Sequence, residues 1–150
     1  MSYIIVELSE LHPTEIEQLV KVWELSVRAT HFFLTEENIQ SLKPLVKNGV
    51  TQVERLLCVR DESDVIQAFI AIVHNKIEML FIHPAYRGKG IGRMLLSHAI
   101  DSCDVKFVDV NEQNDSAKGF YEHLGFQTFS RSENDEQGNP FPILHMKLMN

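Results

Sequence analysis

Residues 76–93 read KIEMLFIHPAYRGKGIGR, and this stretch decides the architecture expected for the chain. Its first half is apolar except for Glu78. His83-Pro84 ends that half, because proline cannot donate a hydrogen bond to a sheet ladder. The basic, glycine-rich segment 87–93 follows, and an amphipathic helix pattern begins directly after it. A strand, a glycine turn and a helix N-terminus in this order present backbone N–H groups and the positive end of a helix dipole. The stretch therefore predicts a binding site for a pyrophosphate.

Two better-known phosphate motifs do not match this turn. A dinucleotide fingerprint GxGxxG that starts at Gly88 would need its third glycine at the position of Arg93. A P-loop would need glycine at the position of His83 and a hydroxyl residue at the position of Gly90. A nucleotide-binding switch protein is therefore disfavoured. These residues alone leave one alternative open, a glycine-rich connection with solvated basic side chains.

The composition is that of an ordinary globular protein, with 44% hydrophobic and 23% charged residues. The 150 residues suit a single domain, 1–150, with one core. A net charge of −7 argues against nucleic acid as a partner. The sequence contains neither a signal-peptide pattern nor an apolar run long enough for a bilayer, so we expect a cytoplasmic protein with no membrane partner. Cys58, Cys103 and the histidines lack metal-ligand spacing, so we expect no metal.

Hydrophobic periodicity predicts about seven strands and about four helices. The strands are expected at 3–8, 56–60, 65–73, 76–82, 106–110, 126–130 and 143–148. The first helix is expected to open at His12-Pro13-Thr14, and the second to run from Thr35-Glu36-Glu37 to about Asn48-Gly49. The third is expected directly after the glycine turn, and the fourth from Asn114 to Gly125. Strands that pair first as an antiparallel meander, and are then separated by helices, give a mixed and mostly antiparallel sheet with helices on both faces. The expected class is therefore α/β, of the α+β kind.

Two sequence patterns in a fixed order carry a family resemblance. Arg87, Gly90 and Gly92 fit the turn [QR]-x-x-G-x-[GA]. After one helix and one strand, residues 114–126, NDSAKGFYEHLGF, fit N-x-x-A-x-x-[FL]-Y-x-x-x-G-F. Together the two patterns resemble the GNAT-type N-acetyltransferase superfamily, firmly over residues 55–127 and more loosely outside them. The tail 131–142 looks like that of small bacterial members.

The resemblance implies a GNAT fold and the transfer of an acetyl group from acetyl-CoA to a primary amine, directly within a ternary complex. It implies that strand 76–82 bulges and separates from the strand that ends at Val110, which leaves room for the pantetheine arm. Backbone N–H groups near Phe81 and Ile82 would then bond the thioester carbonyl and the arm. The residues expected to bind the cosubstrate are Phe81, Ile82, Arg87, Gly88, Lys89, Gly90, Ile91, Gly92, Arg93 and Asn114.

Two side chains are expected to move protons. Glu78 is the candidate base, because desolvation raises the pKa of an acid in an apolar strand, and an outward-facing strand residue is the alternative. Tyr121 matches the family tyrosine, which the resemblance implies to be the acid that protonates the leaving thiolate. A tyrosine at this helix position is also often a core residue. No Ser/His/Asp or Cys/His nucleophile arrangement stands out, which favours direct transfer over a covalent acyl-enzyme.

The acceptor side is less defined. His31 and Phe32 lie between the first two helices and are considered as substrate residues. The alternative, that Phe32 and Phe33 pack the second helix onto the body, is favoured for the phenylalanines, and both roles stay open for His31. The acidic segment around Glu133 and Glu136 would attract a cationic amine. The identity of that amine is open, and so is a homodimer. The alternative function is a non-catalytic acyl-CoA-binding module that regulates a partner.

Overall fold

A computed structural model of the protein describes residues 3–149. The strands are β1 (Ile5–Glu7), β2 (Arg55–Arg60), β3 (Ile66–Val73), β4 (Lys76–Ile82), β5 (Phe107–Asn111), β6 (Phe126–Ser132) and β7 (Ile143–Leu148). The helices are α1 (Pro13–Thr30), α2 (Glu36–Gly49), α3 (Ile91–Cys103) and α4 (Asp115–His123), with a short 3₁₀ turn at Pro84–Tyr86. The predicted elements are confirmed, with small shifts at their ends. The single-domain expectation for 1–150 stays a prediction, and its residues 1, 2 and 150 lie outside the described residues.

All seven strands form one sheet in the order β1-β2-β3-β4-β5-β7-β6. The pair β4–β5 is parallel, and every other neighbouring pair is antiparallel. This confirms the mixed, mostly antiparallel sheet that the sequence predicts. Within residues 3–149, no helix combines the length and the apolar composition that crossing a bilayer requires.

Helices cover both faces of the sheet and bury a separate core on each side. On one face, α1 presents Leu19, Trp23 and Val27 to the buried strand residues Phe69 and Ala71. On the other face, α3 and α4 cover a larger cluster. Complete burial of one large aliphatic or aromatic side chain stabilises the fold by about 1.5–3 kcal/mol, so these two cores fix the sheet against its helices. The helices in turn hold the loops that approach β4.

A bulge interrupts β4 where the predicted base lies. Ala71 of β3 pairs with Met79, and the next residue, Ile72, pairs with Ile77. Glu78 therefore has no partner in the ladder, and the strand bends at that position. The expected bulge in the strand that holds Glu78 is confirmed.

The parallel strands β4 and β5 stay together for only two residue pairs. Lys76 pairs with Phe107 and Ile77 with Val108, and beyond these pairs the two strands separate. From Glu78 onward, the edge of β4 that faces β5 has no strand partner. Unpaired backbone N–H and C=O groups at such an edge are available to an extended ligand. The sheet is therefore splayed at its centre, as expected.

Candidate active site

A cavity of about 410 Å³ occupies the opening between β4 and β5. Its walls come from β4, the 3₁₀ turn, the start of α3, β5, α4 and the last turn of α1. Most of the predicted cosubstrate residues line it: Phe81, Ile82, Arg87, Gly88, Gly90, Ile91, Gly92, Arg93 and Asn114. Glu78 and Tyr121 line it too. The fold thus brings the glycine turn and both candidate catalytic side chains to one space.

The glycine turn presents an uninterrupted run of backbone donors. The N–H of Arg87 bonds the carbonyl of Pro84, and the next paired N–H along the chain is that of Met94, which bonds Gly90 at 3.0 Å. In the described part of the chain, the N–H groups of residues 88–93 have no partner. Gly88 and Gly90 have φ values of 76° and 81°, which side-chain-bearing residues rarely adopt. The backbone therefore forms a nest of N–H groups that suits an anion.

Gly92 allows the start of α3 to lie close against β4. A Cβ on Gly92 would lie 2.8 Å from the Cδ1 atom of Ile82. Arg87 and Arg93 line the cavity and add positive charge beside the nest. Lys89 is not among the lining residues, and its ammonium lies 5.3 Å from the centre of the Tyr86 ring, within the range of a cation–π contact.

Tyr121 is almost fully buried, yet its hydroxyl is open to the cavity. The ring packs edge-on between Phe120 and Phe126, with centroid distances of 5.2 and 5.6 Å, and the residue is 6% exposed. No hydrogen bond to the hydroxyl exists within residues 3–149, and no buried side-chain N or O there lacks a partner. The hydroxyl therefore faces the cavity space. Burial raises the pKa of Tyr121, so the phenol keeps its proton and remains a donor.

His31 belongs to a hydrogen-bonded chain that joins α1 to α4. Thr30 Oγ1 donates its one hydrogen to the carbonyl of Ser26 at 2.8 Å, so it accepts from His31 Nδ1, also at 2.8 Å. His31 Nδ1 therefore carries the hydrogen, and Nε2 accepts from the side-chain amide of Asn114 at 3.3 Å. The oxygen of Asn114 accepts from the backbone N–H of Ala117 and caps α4.

Both ring nitrogens of His31 are thus used in the neutral form. Burial, with the nearby charge of Arg87, lowers the pKa of His31 to about 4. His31 lines the cavity as a positioning group that fixes Asn114 and the N-terminus of α4. Its predicted role as a substrate residue stays a prediction.

The structure places Phe32 differently from the sequence interpretation. Its side chain is 82% exposed and lies outside the cavity. The neighbouring Phe33 instead packs between the rings of His31 and Phe141, at 5.4 Å from each. The turn after α1 directs alternate side chains inward and outward, and the hydrophobicity of this pair does not reveal which one is inside. Phe33 is thus the phenylalanine that supports the site.

A second cavity, of about 400 Å³, adjoins the first. It shares Ile77, Glu78 and Asp109 with the first cavity, so the two spaces meet where β4 and β5 separate. The segment between β6 and β7 forms its outer wall, including Asp135 and Glu136. The Glu78 side chain is solvent-exposed along this cleft, but the surrounding protein still raises its pKa by desolvation, opposed by Lys76.

The second cavity contains a hydrogen-bonded cluster that the sequence interpretation missed. His145 Nδ1 lies 2.7 Å from Asp109 Oδ1, and Ser132 Oγ lies 2.7 Å from His145 Nε2. The ammonium of Lys76 lies 2.6 Å from the other oxygen of Asp109. No Ser/His/Asp arrangement was evident in the sequence, because these residues come from β5, β6 and β7. Those strands become neighbours only in the sheet order β5-β7-β6.

Comparison with known proteins gives a family. Residues 29–149 match the family described as "Acetyltransferase (GNAT) domain". The chain belongs to the GNAT acetyltransferase family. It is 37% identical to the peptidyl-lysine N-acetyltransferase YjaB of Salmonella typhimurium, over 88% of this chain and 90% of that protein. It is 36% identical to the YjaB protein of Escherichia coli K12, over 95% of this chain and 97% of that protein.

Solved GNAT structures agree in fold. The solution structure of apo-form YjaB from Escherichia coli has a TM-score of 0.86 and 36% identity, covering 98% of this chain and 99% of that chain. The PaiA N-acetyltransferase of Thermoplasma acidophilum, solved with coenzyme A, has a TM-score of 0.69 at 24% identity, over 98% of this chain and 99% of that chain. The chain is an acetyl-CoA-dependent GNAT N-acetyltransferase, the first of the two functions that the sequence left open.

Proposed function

We propose that this GNAT enzyme acetylates the side-chain amine of lysine in peptides or proteins, by direct transfer within a ternary complex. One observation carries the proposal: two adjoining cavities share Ile77, Glu78 and Asp109 where β4 and β5 separate, and each has further walls of its own. A cosubstrate in one cavity and an acceptor in the other would thus meet at these shared residues. Direct attack then requires no covalent acyl-enzyme, because orientation of the two reactants supplies the rate gain.

The first cavity suits the cosubstrate. The unpaired N–H groups of residues 88–93 and the start of α3 would hold the pyrophosphate, with Arg87, Lys89 and Arg93 adding positive charge. The lack of Cβ atoms at Gly88 and Gly90 leaves open space over the turn, which an anion fits. The free edge of β4 at Phe81 and Ile82 would bond the extended arm and the thioester carbonyl. When bound there, acetyl-CoA supplies the activated acetyl group.

Glu78 and Tyr121 flank the point where the reactants would meet. Desolvation raises the pKa of Glu78, which makes its carboxylate a better proton acceptor from an attacking amine. Tyr121 keeps its proton, and its hydroxyl has no hydrogen-bond partner among residues 3–149, so it would donate to the departing sulfur. Glu78 would thus act as the base and Tyr121 as the acid of the transfer.

The second cavity suits a cationic acceptor. Its charged wall contains Glu78, Asp109, Asp135 and Glu136, and the ammonium of Lys76 partly neutralises Asp109. A lysine side chain has a charged end and a flexible apolar stem that reaches into a cleft while its backbone stays outside. The names of the two YjaB relatives support a peptide lysine in particular. The buried cysteines Cys58 and Cys103, neither in a disulfide, support a cytoplasmic location.

The experiment uses acetyl-CoA and peptides with a blocked N-terminus and one lysine. We expect release of coenzyme A thiol and a mass increase at the lysine. The matched peptide has arginine in place of lysine and should give no product. A third peptide, with a free N-terminus and no lysine, tests the α-amine. Acetylation of only that third peptide, or of only small polyamines, would contradict the proposed acceptor.

A further inference from the structure

The cluster in the second cavity can take up one proton without moving its heavy atoms. While His145 is neutral, Nδ1–H donates to Asp109 and Nε2 accepts the hydroxyl hydrogen of Ser132. A lone pair on Ser132 Oγ then remains for a donor in the cavity. Once His145 is charged, both ring nitrogens donate, to Asp109 and to Ser132, and the serine hydrogen turns outward. Each state satisfies every member of the cluster, and only one hydroxyl has to rotate.

Asp109 supports the charged state of this cluster. Its Oδ1 atom accepts from His145, and its Oδ2 atom accepts from the Lys76 ammonium at 2.6 Å. Both oxygens are therefore occupied, and the carboxylate is held in one orientation. Because Asp109 lines both cavities while Ser132 and His145 line only the second, the cluster runs from the splay outward along the acceptor wall. An amine in the second cavity therefore has both Ser132 and Glu78 on the wall around it.

We propose that Ser132, His145 and Asp109 form a proton relay that removes the first proton from the acceptor ammonium before it reaches the splay. The proposal rests on the proposed function only in that it requires an amine that arrives charged through the second cavity. Ser132 is the catalytic residue of the relay, because its hydroxyl touches the amine. His145 and Asp109 act through it and are positioning residues.

The acceptor ammonium must lose two protons to become an amide nitrogen. Glu78 takes one of them, and the relay accounts for the other. The ammonium N–H bond breaks towards Ser132 Oγ while the serine hydrogen moves to His145 Nε2, leaving a neutral amine and an imidazolium beside Asp109. The amine lone pair then forms the C–N bond with the thioester carbonyl carbon, and the second proton goes to Glu78. The C–S bond breaks with its electron pair on sulfur, which takes the proton of Tyr121. The proton on Glu78 balances the one that Tyr121 gives up, and the one on His145 leaves to solvent.

Several charges surround the relay. These are Lys76 and Glu78 of β4, Asp109 of β5, Asp135 and Glu136 of the β6–β7 segment, and Lys147 on the same strand as His145. Most of them are negative. The same charges attract a cationic acceptor and hold it near Ser132.

The test compares Ser132→Ala, Ser132→Thr and His145→Gln with the unchanged enzyme, using acetyl-CoA and the N-terminally blocked lysine peptide. At about pH 7, we expect Ser132→Ala and His145→Gln to lower kcat/KM for the peptide by about 100-fold, the usual contribution of a proton-transfer group. Ser132→Thr keeps the hydroxyl and should keep most of the activity. Ser130→Ala removes an exposed hydroxyl from the same strand outside both cavities and should change nothing.

The pH profile separates a relay from a structural role. As pH rises towards about 10, more of the lysine side chains in solution are already neutral. The kcat/KM of the wild type divided by that of the variant should therefore fall towards one. Acetyl-CoA affinity by calorimetry and the melting temperature should be unchanged in Ser132→Ala, whose side chain is on the cavity wall. A ratio that stays constant across pH, or equal activity of all variants at about pH 7, would overturn the relay.

Spermidine is assayed in parallel as a second acceptor, so that the relay and the lysine-peptide proposal can be tested separately. If spermidine is acetylated and the peptide is not, the lysine-peptide proposal fails. The relay is then judged on spermidine by the same ratio. If the peptide is acetylated equally well by Ser132→Ala, the relay fails and the proposed function stands.

Discussion

The side-chain amide of Asn114 lies 3.3 Å from Nε2 of His31, and the same Asn114 caps α4 through its oxygen. This contact joins the end of α1 to the start of α4 across the first cavity. It exists only while His31 is neutral, since a protonated Nε2 would point a hydrogen at the amide nitrogen. The protonation of His31 is thus linked to the contact between α1 and α4.

We expect the stability of the fold to fall with decreasing pH because of His31. Its pKa is about 4 in the folded chain and 6.5 as an ordinary histidine, so the unfolded state binds the proton first. The contribution is fully present above about pH 6.5 and is lost as pH falls towards about 4, with a total on the order of 3 kcal/mol. Chemical denaturation of the wild type and of His31→Gln between these pH values measures it.

The control for this prediction is His123→Gln, which removes an exposed histidine from α4. The wild type and His123→Gln should lose stability in parallel on acidification, and His31→Gln should lose less. Identical slopes for all three proteins would show that His31 is not protonated on unfolding in this range.

The second prediction concerns Gly90, where a substitution should affect both the stability of the backbone and the binding of acetyl-CoA. Its φ of 81° is in the left-handed region, and no heavy atom would contact an added Cβ within 4 Å. Gly90→Val should therefore cost about 1–2 kcal/mol of stability through the backbone. It should also weaken acetyl-CoA binding about tenfold or more, because the side chain would cover the N–H nest. Calorimetric titration with acetyl-CoA measures the affinity.

Gly138→Val is the matched control for Gly90→Val. Gly138 has a φ of 80° and equally open surroundings, but it lies in the β6–β7 segment. We expect a similar loss of stability and an unchanged affinity for acetyl-CoA. Equal affinities of both variants would argue against the pyrophosphate at the glycine turn.

The sequence predicted the local structure around the candidate site, and the reason is physical. The strand, glycine turn and helix of residues 76–93 are contiguous, so their hydrophobic periods and glycines identify the N–H nest directly. Tyr121 was identified through the resemblance of residues 114–126 to a family pattern, and Asn114 through the same pattern and as the N-cap of one helix. Each feature depends on interactions over a few residues, where propensity and pattern are informative.

The acceptor side could not be predicted in the same way. Asp109 and His145 are 36 positions apart, and they meet only because β7 inserts between β5 and β6. That insertion depends on tertiary pairing, which no local pattern encodes. Phe32 was misplaced for a related reason, because the direction of a side chain in an irregular turn depends on the backbone of that turn. Long-range pairing and turn geometry thus limit what the sequence alone predicts.

A third prediction concerns Glu78. Because desolvation raises its pKa, the carboxylate should form at a higher pH than in an ordinary glutamate, and kcat/KM for the acceptor should fall as pH drops through that pKa. Glu78→Gln should lower kcat by about 100-fold. It should also remove this decrease of kcat/KM at low pH. Glu136→Gln changes an acid in the same cavity away from the bulge, so it should raise KM and leave kcat nearly intact. A Glu78→Gln enzyme with normal kcat would mean that another group is the base.

The last prediction tests Tyr121 as the acid. Tyr121→Phe removes a hydroxyl that has no hydrogen-bond partner within residues 3–149, so no buried group is left unpaired and the melting temperature should not fall. Acetyl-CoA affinity should also be retained, while kcat should fall about tenfold or more, because the thiolate would leave without a proton donor. Tyr86→Phe, at the same cavity but on the 3₁₀ turn, is the control and should keep kcat. If kcat of Tyr121→Phe equals that of the wild type, this tyrosine is a core residue and not the acid.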